Sequence, residues 1–250
     1  MDLALRDRVC VITGSTGGIG LATARLLAEE GARVVTSGRS HAPNAGEALH
    51  VSADLSGPDA PADLIEAATQ AFGQVDVLVN NVGTAYITSF EDVSDGEWEE
   101  MWQINVMSHV RAIRAVLPQM LERGAGAIVN VSSTAGKRPS VGMPHYSVTK
   151  AAVLSLSRLV ADVYAKDGIR CNAVAPGPTA TDAWIGPGGL ADQQGDRAEV
   201  LAKVAAGRPL GRLAEPEEIA SVIAFLCSER SSYVTGAAWS ADGGTVPIII

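Results

Sequence analysis

Short runs of β-branched and apolar residues alternate along this chain with longer stretches whose apolar positions recur at helical spacing. "RVCVIT" (8–13) precedes the helical "GLATARLLAEEG" (20–31), and the strand-like "ARVVTSG" (32–38) and "ALHVSADL" (48–55) precede the helical "APADLIEAATQAFG" (60–73). "VDVLVNN" (75–81) leads into two helical stretches over 94–122, and "GAIVNVSS" (126–133) into the long "HYSVTKAAVLSLSRLVADVYAKDG" (145–168). "IRCNAVAPG" (169–177), "EPEEIASVIAFLCS" (215–228) and "GAAWSADGG" (236–244) close the series as strand, helix and strand. Strands this apolar are covered on both faces. The pattern therefore predicts an α/β fold: a doubly wound parallel sheet of about seven strands with helices on both sides and right-handed crossovers.

Two segments break the rhythm. "RSHAPNAGEAL" (39–49) contains Pro43 and is too short for a crossover helix. Residues 180–208 carry several glycines between a strand and a helix, and a loop of that length reads as a substrate lid.

Composition narrows the reading. The 250 residues fit one domain spanning 1–250, and 47% hydrophobic content fills a large core. A net charge of -9 repels phosphate backbones and anionic lipid, so nucleic acid and membrane surfaces are excluded as favoured partners. No apolar run approaches the roughly 20 residues of a membrane-spanning helix. The opening "MDLALRDRVCVITG" places charges where a signal peptide is apolar. Cys10, Cys171 and Cys227 are scattered and show no metal-ligand spacing, so they read as free thiols of a metal-free, cytoplasmic protein.

The candidate chemistry begins at "TGSTGGIG" (13–20), where a strand gives way to a helix. Glycines there permit a tight turn and let backbone N–H groups approach a pyrophosphate, although a tightly packed turn would use the same residues. Far downstream, Tyr146 and Lys150 stand four apart on one helix face, so the ammonium can lie beside the phenol. Ser133 precedes Tyr146 by thirteen residues and ends a strand, on the rim where open α/β sheets bind ligands.

These pieces, with "NNVG" (80–83), Asn105 in "QINV" and "APGPTAT" (175–181), resemble the short-chain dehydrogenase/reductase family over essentially the whole chain. The resemblance implies a Rossmann fold and hydride transfer between a nicotinamide and a ketone or secondary alcohol. It assigns Tyr146 as general acid and base, Lys150 as its cationic partner, Ser133 as hydrogen-bond donor to the substrate oxygen, and Asn105 as holder of a water in a proton path. A free phenol with a pKa of about 10 is a poor base near neutrality. Lowering it by roughly 3 units requires about 4 kcal/mol of preferential phenolate stabilisation, expected from Lys150 and an oxidised nicotinamide.

The same resemblance places the cofactor against Gly14, Ser15, Thr16, Gly18, Ile19 and Gly20, then Asp54 and Leu55, Asn81 and Gly83, Tyr146 and Lys150, and finally Pro176, Gly177, Thr179 and Thr181. Asp54 could equally cap the following helix. NAD-preferring members carry an acid at the end of the second strand. Here Gly38 leaves room for a 2′-phosphate and Arg39 can pair with it, so NADP(H) is expected, with NAD(H) as the alternative. An arginine after a strand can also be simply a solvated charge. Tyr86, Met143 and Trp184 suggest a partly apolar pocket, and His145 points away from Tyr146 and receives no catalytic role.

Relatives are homotetramers or homodimers, and the terminal "VPIII" reads as a segment that docks on a neighbouring subunit or frays. A 3-oxoacyl-(acyl-carrier-protein) reductase, an NAD-dependent alcohol dehydrogenase and a non-catalytic cofactor sensor are the competing readings. The last is disfavoured because both Tyr146 and Lys150 are present.

Overall fold

The computed structural model describes residues 2–40 and 45–247. Seven strands form one all-parallel sheet: β1 (Val9–Ile12), β2 (Arg33–Gly38), β3 (Leu49–Ser52), β4 (Val77–Asn80), β5 (Gly126–Val131), β6 (Ile169–Pro176) and β7 (Ala238–Ala241). Their order across the sheet is β3-β2-β1-β4-β5-β6-β7. Every residue of β1 and β4 is buried, as expected for central strands covered on both faces. The two edges of the sheet read differently: β3 is half-buried and β7 is largely exposed.

Nine α-helices cover the sheet among the described residues: α1 (Gly18–Glu29), α2 (Ala60–Phe72), α3 (Asp95–Trp102), α4 (Ser108–Arg123), α5 (Thr134–Lys137), α6 (Pro144–Tyr164), α7 (Asp182–Ile185), α8 (Arg197–Ala206) and α9 (Pro216–Cys227). On one face Leu64, Leu78, Val116, Met120 and Ile128 pack beneath α2 and α4. On the other, Ile12, Leu27, Val34, Ile223 and Leu226 join the sheet to α1 and α9. None of the described helices is long and apolar enough to cross a membrane.

The two helical stretches expected over 94–122 are one rod. Ser94 opens α3 with a capping box in which its hydroxyl accepts from the Glu97 N–H while the Glu97 carboxylate accepts from the Ser94 N–H. The rod continues through a π turn, Gln103–Met107, into α4. Between β2 and β3 the described residues contain no helix, as the short spacing implied; Pro43 lies outside the described residues. The segment 180–208 carries α7 and α8 joined by turns, and its Leu190 and Ala191 are buried. Val246 is buried, but Ile248, Ile249 and Ile250, on which the docking expectation rests, lie outside the described residues.

The chain leaves β1 towards β2 on one side and β4 towards β5 on the other, so β1 and β4 flank the switch point of the sheet. In open α/β sheets the crevice beyond the strand ends at such a point receives the ligand.

Candidate active site

A cleft of about 1550 Å³ opens along this rim, room for a dinucleotide together with a small substrate. Its floor begins at the glycine loop. Gly14 (φ +62) and Gly18 (φ +52) adopt left-handed backbone that other residues resist. A Cβ on Gly20 would strike the Gly14 carbonyl and the Asn81 amide, so Gly20 serves close packing rather than ligand contact. The N-cap of α1, Gly17, supplies no side chain, and the first N–H groups of this twelve-residue helix are left for an anion. That uncapped end, beside a loop without side chains, fits a pyrophosphate.

Gly14, Thr16, Gly18 and Ile19 line the cleft, and Thr181 meets Gly18 from the opposite wall. Ser15 is placed otherwise than expected. Its N–H donates to the Ser37 carbonyl, and its hydroxyl donates to Ile12 (2.8 Å) and accepts from the Ser37 N–H (2.9 Å). It ties the loop to β2 and turns away from the cleft.

The expected catalytic residues converge at the other end. Ser133 caps α5, its oxygen accepting from the Ala135 N–H at 3.1 Å, which leaves the hydroxyl hydrogen to donate outward. Burial holds the Tyr146 phenol pKa above its ordinary value, and the neighbouring Ser133 hydroxyl opposes that shift only in part. The Lys150 Nζ lies 5.8 Å from the centre of the Tyr146 ring. It donates to the Val131 carbonyl at 2.9 Å, and burial lowers its pKa to about 8.

Asn105 sits fully buried in the π turn. Its Oδ1 accepts from the Thr84 N–H (2.9 Å) while its Nδ2 donates to the Thr84 carbonyl (3.0 Å) and to Thr149 (3.2 Å). A Cβ on Gly83 would come within 2.9 Å of Asn105 Oδ1 and 3.2 Å of Lys150 Nζ, so that glycine keeps the two side chains close together.

The remaining cofactor candidates divide. Arg39, Asp54, Leu55, Asn81, Gly83, Pro176, Gly177 and Thr179 all line the cleft. Asn81, however, spends its amide on the Thr13 and Gly14 carbonyls at 3.0 and 2.9 Å, and Thr179 spends its hydroxyl on the Gly177 carbonyl at 3.0 Å. Asp54 does not cap α2, whose N-cap is Asp59. It accepts from the N–H and hydroxyl of Ser56, which lower its pKa, and stays exposed at the rim. Gly38 has a packing reason of its own, since a Cβ there would collide with Thr16. Arg39 is exposed, and its charge lies close enough to Asp54 to help lower that carboxyl's pKa.

A family model described as enoyl-(acyl carrier protein) reductase matches residues 14–246. The chain belongs to the short-chain dehydrogenase/reductase family. Among its members, the cis-4-hydroxycyclohexanecarboxylate dehydrogenase of Sinomonas cyclohexanicum is 40% identical over 98% of both chains. A 3-oxoacyl-(acyl-carrier-protein) reductase of Vibrio cholerae is 35% identical over 96% of this chain and 98% of its own. The crystal structure of the L-sorbose reductase of Gluconobacter frateurii, complexed with NADPH and L-sorbose, superposes with a TM-score of 0.92 at 35% identity over 100% of both chains.

In this short-chain dehydrogenase/reductase several site residues lie outside what the sequence suggested. His145 is buried edge-on against Tyr86 (ring centres 4.5 Å apart) and near Trp98 (5.9 Å), and burial lowers its pKa. The Tyr86 hydroxyl donates to Glu97 at 3.4 Å, the carboxylate that also completes the Ser94 capping box. Glu97 thus braces Tyr86 and, through it, the ring of His145 next to Tyr146, a contact concealed in the sequence by its ordinary place in a cap. Gln193 accepts from the Ile87 N–H at 2.8 Å and fastens the 180–208 segment to the stretch after β4. His109 is buried at the Val82 carbonyl, and burial near Lys150 drives its pKa to about 3, so it stays neutral. No spacing marks either residue.

Proposed function

We propose that this short-chain dehydrogenase/reductase moves a hydride between NADP(H) and a ring-sized ketone or secondary alcohol, with Tyr146 giving the proton in reduction and taking it in oxidation. The observation that carries the reading is the convergence of Tyr146, Ser133 and Lys150 at one end of a cleft whose other end is an uncapped helix N-terminus. NADPH supplies the hydride when bound. Ser133, its oxygen already satisfied by Ala135, donates its hydrogen to the substrate oxygen and stabilises the charge developing there. Tyr146 delivers the proton. Lys150, cationic below about pH 8 and held by Val131, favours the phenolate that remains. Asn105, braced by Thr84 and Thr149, shares the neighbourhood of Gly83 with Lys150 and serves a water in the proton path.

Tyr86, Met143 and Trp184 give the substrate end apolar walls, and residues 180–208 form the lid over it, latched by Gln193. The Sinomonas relative acts on a substituted cyclohexane and the Gluconobacter relative binds L-sorbose, substrates of that size. The acyl-carrier reading is weaker. An acidic carrier needs a basic dock, yet of the adjacent pair Lys137 and Arg138 the lysine is spent on the Ala238 carbonyl and Ser240. Val148, Leu159 and Val163 stand exposed along α6, a face we read as the contact between copies in a dimer or tetramer. The three buried free thiols suit a cytoplasmic enzyme.

The preference for NADP(H) rests on Arg39 and on the absence of an acid at the end of β2. Fluorescence titration with NADPH and NADH in parallel tests it. Arg39→Ser is expected to weaken NADPH binding by about tenfold to a hundredfold, the worth of a charged hydrogen-bonded pair, and to leave NADH unchanged. Equal behaviour of both nucleotides in both proteins would remove Arg39 from cofactor choice.

A further inference from the structure

Five arginines in this chain are half-buried, and four of them are engaged through their guanidinium groups. Arg8 reaches Asp76 and Glu229, and Arg111 reaches the Ser56 carbonyl and Gln103. Arg123 holds the Val75 carbonyl, while Arg170 holds the Leu226 and Ser228 carbonyls and the Ser231 hydroxyl. Arg208 is the exception. Among the described residues its guanidinium forms no hydrogen bond or ion pair, and its Nε is shut from solvent without a partner. A partly desolvated cation is costly to leave unpaired, and native structures rarely do so without a function.

Its position says what could complete it. Arg208 follows α8 and lines the same cleft as Tyr146 and Lys150, as do Leu190, Gln194 and Val204 of the 180–208 segment. The backbone there is anchored: the Leu210 N–H donates to the Gly243 carbonyl at 3.2 Å, and Pro209 packs on Gly244. The phosphate-binding features of the cleft, the glycine loop and Arg39, belong to other elements, those that follow β1 and β2. No general attraction of anions operates, because the chain carries a net charge of -9. Only a local, directional partner explains the residue, and the planar fork of a guanidinium matches a carboxylate through two parallel hydrogen bonds.

We propose that Arg208 binds a carboxylate on the substrate, so that the enzyme acts on oxo and hydroxy acids whose reacting carbon is held at Tyr146 while the acid is held beneath the lid. This rests on the hydride-transfer reading above for the reacting carbon, but not for the anion site.

The test is calorimetric titration of the NADP⁺-loaded protein with cyclohexanecarboxylate and, separately, cyclohexanecarboxamide, unreactive probes of equal shape and different charge. The carboxylate is expected to bind at least about tenfold more tightly than the amide, as a charge-assisted pair should. Arg208→Gln is expected to abolish that preference, Arg208→Lys to keep part of it, and both variants to bind NADPH as the wild type does. Equal binding of the two probes by the wild type, at any strength including none, overturns the proposal. So does a preference that survives in Arg208→Gln. Weakened NADPH binding in both variants would also overturn it, assigning Arg208 to the cofactor. Because the probes are not turned over, a failure of hydride transfer with every ketone would count against the catalytic reading and leave this result standing.

Discussion

Lys150 is nearly inaccessible, and burial brings its ammonium from 10.5 down to about 8. The consequence for stability has a definite sign. Between those two values the unfolded chain still holds the proton that the folded chain has released, so stability rises with pH across that window. Relative to Lys150→Met, the wild type should gain up to about 3 kcal/mol of unfolding free energy as pH rises from 8 towards 10.5. Denaturant unfolding of the two proteins across that range measures it, and a constant difference would contradict the burial argument. On the proposed mechanism kcat for reduction is expected to respond oppositely, falling above about pH 8 as Lys150 loses its charge, which a pH profile of NADPH oxidation measures. The identities of Ser133, Tyr146 and Lys150 were legible because strand end and helix turn fix their spacing. The phenol's environment was not: burial raises its pKa, Ser133 opposes that only in part, and the Lys150 Nζ is directed at the Val131 carbonyl. The hydroxyls of Ser15 and Thr179 donate to the Ile12 and Gly177 carbonyls a few residues back, a direction that residue type alone does not reveal.

At the level of elements, the π turn at Gln103–Met107 is the feature that most shapes the site. One extra residue in the turn bulges the rod where Asn105 must face inward, and such turns recur at functional positions. Nothing in "QINVM" distinguishes a π turn from an α turn, which explains why the sequence showed helices here and not their bulge. Asn105→Ala removes the acceptor of the Thr84 N–H and the donor to Thr149. We expect a loss of about 2 kcal/mol in urea unfolding. The same variant should lower kcat by roughly ten- to a hundredfold through misplacement of Lys150, with NADPH affinity retained. A fall in nucleotide affinity matching the fall in kcat would make Asn105 structural only. The connection from β2 to β3 shows the converse case. The absence of a helix among its described residues was readable because few residues separate the strands and Pro43 stands among them.

Across the whole molecule, alternation of buried strands with amphipathic helices sufficed to indicate the parallel sheet, its covered faces and the rim that carries the chemistry. What remained hidden is what the crossing of distant segments creates. His145 acquires its aromatic neighbours from 86 and 98, the 180–208 segment is fastened by a glutamine to residue 87, and Arg208 is notable only for the partners it lacks among the described residues. The central claim is that Tyr146 exchanges the proton in a hydride transfer. The most direct measurement is NADPH oxidation over a panel of cyclic and linear ketones by the wild type and Tyr146→Phe, with NADPH binding titrated on the same samples. The account predicts turnover by the wild type, a loss of at least about a hundredfold in the variant, and equal NADPH binding by both. Equal turnover by the two proteins would contradict it.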